Sequence, residues 1–592
     1  MISVAEYVAD ALAAAGLCDA FIVTGGGAMF LNDALAHHPA LRPLWFQHEQ
    51  AAAMAGEAYA RIAGKPAIVN VTTGPGGINA LNGVFGAWTD SIPLLVISGQ
   101  VKRQTSLAFH DLPELRQLGD QEARIVDLAR PICKSAVVLR AAEDIAWELE
   151  RALHLACSGR PGPCWLDLPV DLQAAPIDPA ELRHFIAPPA SATWRASDCD
   201  ALLARLAAAR RPVILAGTGV RCAAAEREFE TLIRRLAIPV VTAWTHDLIA
   251  DDDPLYCGRP GTIGTRAGNF TVQEADLLLI LGSRLNIRQV SYNWTAFAPQ
   301  AFKIQVDIDP AELAKPLVAP DLAICADLRD FLATLNTRLA IDPPARAPAH
   351  EQWLARCRQR LADYPSVLPR QREFRGRINP YHFVEELFAC LQNDDIVACG
   401  NASATIVTFQ AARLKAGQRV FSNSGSASMG YDLPAAIGAW YGARAVRGGQ
   451  RRVVCLAGDG SLMMNLQELQ TVAQHRLPIK IFVLDNRGYL SIRTSQSGFF
   501  GRLAGAGPES GVQLPDFVAV ATAFGLPARR LDAADFAQHL PAILDAPGPS
   551  LTQVVLDETQ EFEPRIASRR LADGSIVSAA LDDMYPFLKR EE

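Results

Sequence analysis

Two short runs in the last third of the 592-residue chain carry the most recognisable chemistry. The apolar run 453–457 leads into Gly458-Asp459-Gly460-Ser461, and the next such run ends in Asp485-Asn486, with Gly488 two positions beyond. Asp459 and the side-chain carbonyl of Asn486 are hard oxygen donors, and Gly488 can add a backbone carbonyl. Magnesium favours such a set and completes its octahedron with phosphate oxygens. The glycines let the backbone approach a diphosphate closely. An Asp-Gly after one strand is more commonly a turn with a capping carboxylate. Two strand ends with this pairing point to a magnesium–diphosphate site.

Such a site needs strands that end along one edge. Short apolar, β-branched runs alternate with helix-like segments through the whole chain: 21–24, 67–72 and 94–98; then 213–216, 240–242, 277–281 and 303–308; then 396–399, 453–457, 479–484 and 552–556. Continuous apolar strands separated by helices predict parallel sheets buried on both faces. Ligands bind such sheets at the carboxyl ends of the strands, where Gly25-Gly26-Gly27, Gly74-Pro75-Gly76-Gly77 and Gly217-Thr218-Gly219 stand. Pro/Ala-rich stretches at 186–195 and 341–349 suit extended linkers. The expected architecture is α/β, with three doubly wound parallel-sheet domains at 1–185, 196–340 and 350–563 and a tail at 564–592.

The motifs resemble those of thiamine diphosphate (ThDP) enzymes of the acetolactate synthase group. The signature is the 458–461 run with Asp485-Asn486; residues 424–439 (SGSASMGYDLPAAIGA), 48–53 (HEQAAA), 71–79 (VTTGPGGIN) and 89–101 (TDSIPLLVISGQV) follow the same group in the same order. The resemblance implies that Glu49 faces the cofactor's pyrimidine ring nitrogen. Removal of the thiazolium C2 proton by the neighbouring imino group requires a carboxyl there. Taken by itself, Glu49 is a carboxylate at a helix start, favoured by the macrodipole. Met429, which alone would read as core filling, matches the residue that bends the cofactor. Gly26 and Gln121 join the implied catalytic set; His110 is a candidate for proton transfer but lacks the paired histidines expected of a pyruvate decarboxylase. The cofactor-binding set is Thr73, Asn79, Gly400, Asn401, Ala402, Ser426, Ser428, Asp459, Gly460, Ser461, Asn486, Gly488 and Tyr489, with Asp459, Asn486 and Gly488 on magnesium. In the family the Glu49-type block of one subunit meets the magnesium block of another, so a homodimer or homotetramer is implied.

The middle block lacks a full G-x-G-x-x-G, so a nicotinamide site is weakly supported. It resembles the group's flavin domain, which would place Gly217, Thr242, Gly264, Arg284, Asp307, Ile308 and Asp327 on FAD. Three departures stand out. Asp120 occupies the position of a family Phe before Gln121-Glu122. The segment between Val101 and Gln121 is several residues longer. Ser495, with Arg493 nearby, replaces the acceptor-selecting Trp. A polar lining suits an acceptor bearing hydroxyls. The tail resembles that of a carboligase subgroup acting on keto-deoxysugars.

The implied reaction is decarboxylation of pyruvate and transfer of its two-carbon unit to a ketone or aldehyde, with acetolactate as a product. The alternatives are a housekeeping acetolactate synthase and a pyruvate decarboxylase or oxidase. Composition sets outer limits. Half the residues are apolar and 20% charged, which excludes a disordered chain. A net charge of −7 advertises neither nucleic acid nor an anionic membrane. The N-terminus shows no secretory signal and no apolar run reaches membrane length, so a cytoplasmic protein is expected. The twelve cysteines include no C-x-x-C and read as small buried hydrophobes.

Overall fold

The computed structural model describes residues 1–189, 193–343, 347–446, 449, 451–570, 573–574 and 576–588. Three all-parallel sheets are built as expected. The first contains β1 (Asp19–Ile22), β2 (Arg42–Trp45), β3 (Ala67–Val71), β4 (Leu94–Gln100), β5 (Ser135–Val138) and β6 (Pro163–Pro169), in the order β2-β1-β3-β4-β6-β5. The middle sheet contains β7 (Pro212–Ala216), β8 (Val240–Thr242), β9 (Leu277–Leu281), β10 (Phe302–Asp307) and β11 (Leu322–Cys325), in the order β8-β7-β9-β10-β11. The last contains β12 (Ile396–Cys399), β13 (Arg419–Phe421), β14 (Val453–Gly458), β15 (Ile479–Asp485), β16 (Ala528–Leu531) and β17 (Ser550–Val555). Its order, β13-β12-β14-β15-β17-β16, repeats that of the first sheet. Identical topology without a sequence repeat gives the chain two similar platforms, each with a strand-end edge.

The helices that join these platforms are built for close contact. Helix α1 (Glu49–Ala63) is rich in alanine and almost wholly buried; it starts at His48, whose Nδ1 accepts the Gln50 amide at 3.1 Å, and stops at Gly64 in the left-handed conformation. Helix α2 (Pro75–Asp90) lies against it. A Cβ on Gly83 would come within 2.5 Å of Ala53. Between the platforms, α1 packs on helix α4 (Asp432–Ala445); helix α3 (Pro348–Asp363) starts inside the 341–349 stretch read as an extended linker and opens the third block. A Cβ on Gly438 would stand 1.9 Å from the Ala55 carbonyl, so only glycine permits this approach. One apolar core therefore runs from the first domain into the third.

Charge knits the junction as well. Buried Tyr431 donates to Glu57 Oε2 at 2.5 Å, Arg61 pairs with Glu57 and with Asp90 at 2.6 Å, and Asp90 accepts the Gly425 amide at 2.9 Å. On the middle domain, buried Asp247 accepts from Arg221 at 2.9 Å and from Arg419 of the third domain at 3.0 Å, and these cations hold its carboxyl well below the usual range despite burial. The tail folds back on the middle domain: the Ile566 amide donates to Thr262 at 2.7 Å, and Leu581 joins the domain's core. All twelve cysteines are free; seven are buried as their apolar settings suggested, but Cys18, Cys222, Cys325 and Cys390 are only partly buried and Cys157 is exposed. No helix among the described residues is long and apolar enough to cross a membrane.

Candidate active site

The magnesium motif assembles at adjacent strand ends of the third sheet. Strands β14 and β15 pair in register, which brings Gly458 opposite Leu484 and sets Asp459 beside the start of the following loop. Asp459 opens a short helix, and its carboxylate accepts the Gly460 amide at 2.7 Å and the Gly488 amide at 2.8 Å. The Gly488 backbone is left-handed, at φ 126°, and a Cβ there would meet the Ala506 carbonyl at 2.5 Å. Asn486 points its Nδ2 at Ser403 Oγ (3.2 Å), while its buried Oδ1 has no protein partner. Burial pushes the Asp459 carboxyl up to about 7. A buried carboxylate that resists ionisation and a neighbouring orphaned carbonyl are what a hard cation satisfies, so these residues fit magnesium. No group of three His, Cys, Asp or Glu side chains among the described residues is placed to hold a metal.

The residues expected around the diphosphate gather at the same edge. Gly400 lies against Asp432, whose Oδ2 a Cβ would meet at 2.5 Å, and Ala402 adopts a left-handed φ of 46° at the start of a nine-residue helix (Ser403–Ala411). Asn401 Nδ2 reaches the Ala427 carbonyl at 3.3 Å. Ser426 and Ser428 lie 2.7 Å apart, and the Gly430 amide donates to Ser461 Oγ at 2.8 Å, with half-buried Met429 between. Tyr489 covers Gly460 so closely that a Cβ there would stand 2.2 Å from its ring. Arg493 donates to the Asn486 carbonyl at 2.7 Å and the Arg487 carbonyl at 3.0 Å, which clamps the Asn486 loop. Asp432, Ser403 and Arg493 were not singled out for this edge from sequence. Asp432 sat inside an apolar helix motif, and only its buried, unpartnered Oδ2 marks it.

The first domain supplies a second cluster. Glu49 begins α1, half-buried, and its Oε2 accepts from Asn79 on α2 at 3.0 Å; Oε1 would come within 3.3 Å of a Cβ on Gly76. The carboxylate thus lies over the first turn of α2, where the helix dipole favours it. Thr73 is buried beside Gly27. Exposed Gly26 has open space where a side chain would stand. Gln121 is exposed, at φ 60°, and its carbonyl presses on Gly74 so tightly that a Cβ there would overlap it. Exposed His110 directs Nε2 at the Gln104 carbonyl (2.9 Å) within its own loop. The Leu107, Leu118 and Gly119 amides all donate to the Glu122 carboxylate, the last two at 3.2 and 3.1 Å. That acceptor pins the lengthened 102–120 segment and leaves Asp120 exposed.

Within one chain the two clusters are joined through their surroundings: Ser428 Oγ donates to Asn82 Oδ1 at 3.0 Å, and the Gln47 amide donates to Glu468 Oε1 at 3.1 Å. No hydrogen bond or ion pair among the described residues links Glu49 itself to Asp459 or Asn486. The strand ends of the middle domain line a cleft with Gly217, Arg284, Asp307, Ile308 and Asp327. Glycine-rich strand ends with two acidic groups for hydroxyls fit a dinucleotide. Two residues assigned to that cofactor lie elsewhere. Thr242 is buried in β8 with its hydroxyl unpartnered, and Gly264 packs on the Arg259 carbonyl, because the loop 258–265 turns back on itself before it reaches the cavity.

Three family models match the chain. They are the thiamine pyrophosphate enzyme N-terminal TPP binding domain over residues 2–122, the central domain over 199–335, and the C-terminal TPP binding domain over 400–554. Relatives include acetolactate synthase 2, chloroplastic, of Zea mays, 32% identical across 95% of this chain and 87% of that protein. Two large subunits from Escherichia coli (strain K12), of acetolactate synthase isozymes 1 and 2, are also 32% identical, each across 95% of this chain and 95% and 97% of their own lengths.

Proposed function

Since the chain belongs to the acetolactate synthase family of ThDP enzymes, we propose that it decarboxylates pyruvate and joins the two-carbon unit to a carbonyl acceptor. With a second pyruvate as acceptor, two pyruvates give acetolactate and carbon dioxide. The observation that carries this reading is the Asp459–Asn486 arrangement, a buried carboxylate and an orphaned carbonyl at paired strand ends. Bound ThDP would supply the electron sink for decarboxylation. The chain's own groups do the rest. Asp459 and Asn486 would hold magnesium, Glu49 would hold a proton at the pyrimidine ring nitrogen, and Met429 would brace the bent cofactor. The glycines at 25–27 and at 74, 76 and 77 would let the backbone come close to the cofactor.

We take FAD to occupy the middle-domain cavity, where Gly217, Arg284 and Asp327 would meet it. We also take the working form to be a homodimer in which Glu49 of one copy serves Asp459 of the other. Exposed apolar side chains on α2 (Ile78, Phe85, Trp88) and beside the magnesium helix (Met463, Met464) support such an interface.

The acetolactate synthase relatives favour pyruvate as acceptor. A second reading, a larger hydroxyl-bearing acceptor such as a keto-deoxysugar, is favoured by exposed Asp120 and Ser495 and by the pinned 102–120 segment. Incubation with pyruvate, ThDP and Mg²⁺, with and without hydroxylated ketones, tests both. Acetolactate alone supports the first reading, a cross-product formed in preference to acetolactate supports the second, and no release of carbon dioxide rejects both.

A further inference from the structure

Behind the turn between β3 and α2 runs a chain of buried polar groups that the proposed reaction does not use. Trp165 Nε1 donates to Ser98 Oγ at 2.8 Å, and Ser98 Oγ donates to Asp167 Oδ1 at 2.5 Å. Gln100 Nε2 donates to Asp167 Oδ2 at 3.0 Å and to the Ala123 carbonyl at 3.2 Å. Gln100 Oε1 in turn accepts from Thr73 Oγ1 at 2.6 Å and from the Val101 amide at 2.9 Å. Ser98, Gln100, Trp165 and Asp167 are at most 2% exposed.

The direction of every bond in this chain is set by chemistry. An indole can only donate, so Ser98 accepts from Trp165 and gives its own proton to Asp167. The carboxylate then faces two donors, and the Gln100 amide must turn its nitrogen toward it. Only that orientation leaves an oxygen for Thr73 and a second N–H for Ala123. Thr73 sits on the turn read above as facing the cofactor, and Ala123 follows Gln121 and Glu122.

We propose that Asp167 is a positioning residue: acting through Gln100, it fixes the Thr73 turn relative to the Gln121–Ala123 segment, and so the spacing of two walls of the reaction site. This rests on the ThDP reading of that turn. A proton on Asp167 Oδ2 would put a donor against the Gln100 amide, whereas one on Oδ1 would meet the Ser98 hydroxyl, which can turn and accept it. With the proton on Oδ2 the Gln100 amide would flip, and Thr73 would lose its acceptor. Burial pushes Asp167 up to about 7, with Glu122 adding to the rise. Asp167 also borders a solvent-open cavity, whose charged and titratable lining is His110, Glu122, Arg124, Asp127, Arg130, Arg140 and Glu148. Protons can therefore reach it.

The test uses the full-length protein with ThDP and Mg²⁺ in three near-isosteric variants, Asp167→Asn, Gln100→Met and Thr73→Val. Asn at 167 leaves one good acceptor for two donors, and the other two sever the chain further along. Each is expected to lower kcat/KM for pyruvate about tenfold, the scale of one buried hydrogen bond. Each should also abolish a wild-type pH limb near 7. Asp167→Asn in the Gln100→Met background should cost little more, because both act on one path. Hydrogen exchange of the 72–77 turn gives a readout independent of turnover: it should quicken in Asp167→Asn and Gln100→Met while β9 and β15 stay protected. A wild type that releases no carbon dioxide defeats the functional reading. A turn as protected in both variants as in wild type, or a pH limb that survives in all three, overturns the positioning role.

Discussion

The Gly488 amide donates to Oδ2 of Asp459 at 2.8 Å, so the two strand ends that carry the candidate magnesium oxygens are fastened to each other. The same bond uses the left-handed backbone of Gly488 and the tight loop that Arg493 clamps. The geometry of the metal site is thus a property of the loop as well as of the two oxygen donors.

Asp459→Asn should abolish Mg²⁺-dependent ThDP binding, with affinity falling about a hundredfold or more, because a neutral amide replaces the charged ligand. Calorimetric titration of ThDP in the presence of Mg²⁺ reads this directly. Wild-type affinity in Asp459→Asn would remove this carboxylate from the metal site.

Gly438→Ala should cost about 2 kcal/mol or more, because its Cβ meets the Ala55 backbone carbonyl and one helix must move. Thermal unfolding gives the measurement. Gly548→Ala is the control: its Cβ would meet open space, although its left-handed backbone carries a modest cost of its own.

Asp432 predicts a pH dependence of known sign. Burial lifts its folded value to about 6, above the ordinary carboxylate range. The native state therefore keeps a proton that the unfolded chain has lost, and this group's penalty grows as pH rises from about 4 to above 6. Asp432→Asn should stabilise the cofactor-free protein by about 1–3 kcal/mol at about pH 8 and by little at about pH 4. Denaturant titrations at the two pH values decide it; an equal effect at both would mean that the native carboxyl is not pushed up.

What could be read from sequence follows a physical line. The central strands are apolar on both faces, and eleven of the seventeen sheet strands, all central except the edge strand Val240–Thr242, were visible as continuous runs, within a residue or two of their observed ends. Five of the six other sheet strands lie at sheet edges: Arg42–Trp45, Ser135–Val138, Leu322–Cys325, Arg419–Phe421 and Ala528–Leu531. Edge strands need not be apolar on both faces, and Arg529-Arg530 or Arg42-Pro43 hides them from such a reading. The sixth, Pro163–Pro169, is central but carries Asp167, the buried carboxylate whose partners lie 67 and 69 positions away in sequence.

The site divides in the same way. Asp459, Asn486 and Glu49 could be named as candidates because motifs repeat local spacing. Asp432, Ser403 and the Gln100–Asp167 pair could not, since their significance arises only from burial and from contacts between distant segments. Thr242 and Gly264, assigned to a flavin, do not line the middle-domain cavity, because a strand end and a glycine-rich loop do not reveal which way the loop turns.

Asp120 and Ser495 set a prediction about the acceptor. Replacing the two exposed polar residues by the large apolar side chains of the family, in Asp120→Phe and Ser495→Trp, should shift the product ratio toward acetolactate by about tenfold, the scale of a changed pocket contact. Competition between pyruvate and a hydroxylated ketone reads the ratio. An unchanged ratio in both variants would place acceptor selection elsewhere.

The central claim is tested most directly by carbon dioxide release and product analysis from pyruvate with ThDP and Mg²⁺, comparing wild type with Glu49→Gln. The account predicts acetolactate from the wild type and a rate lowered about a hundredfold or more in Glu49→Gln, whose amide cannot exchange the proton that the cofactor ring requires. No carbon dioxide from the wild type, or an undiminished rate in Glu49→Gln, would contradict it.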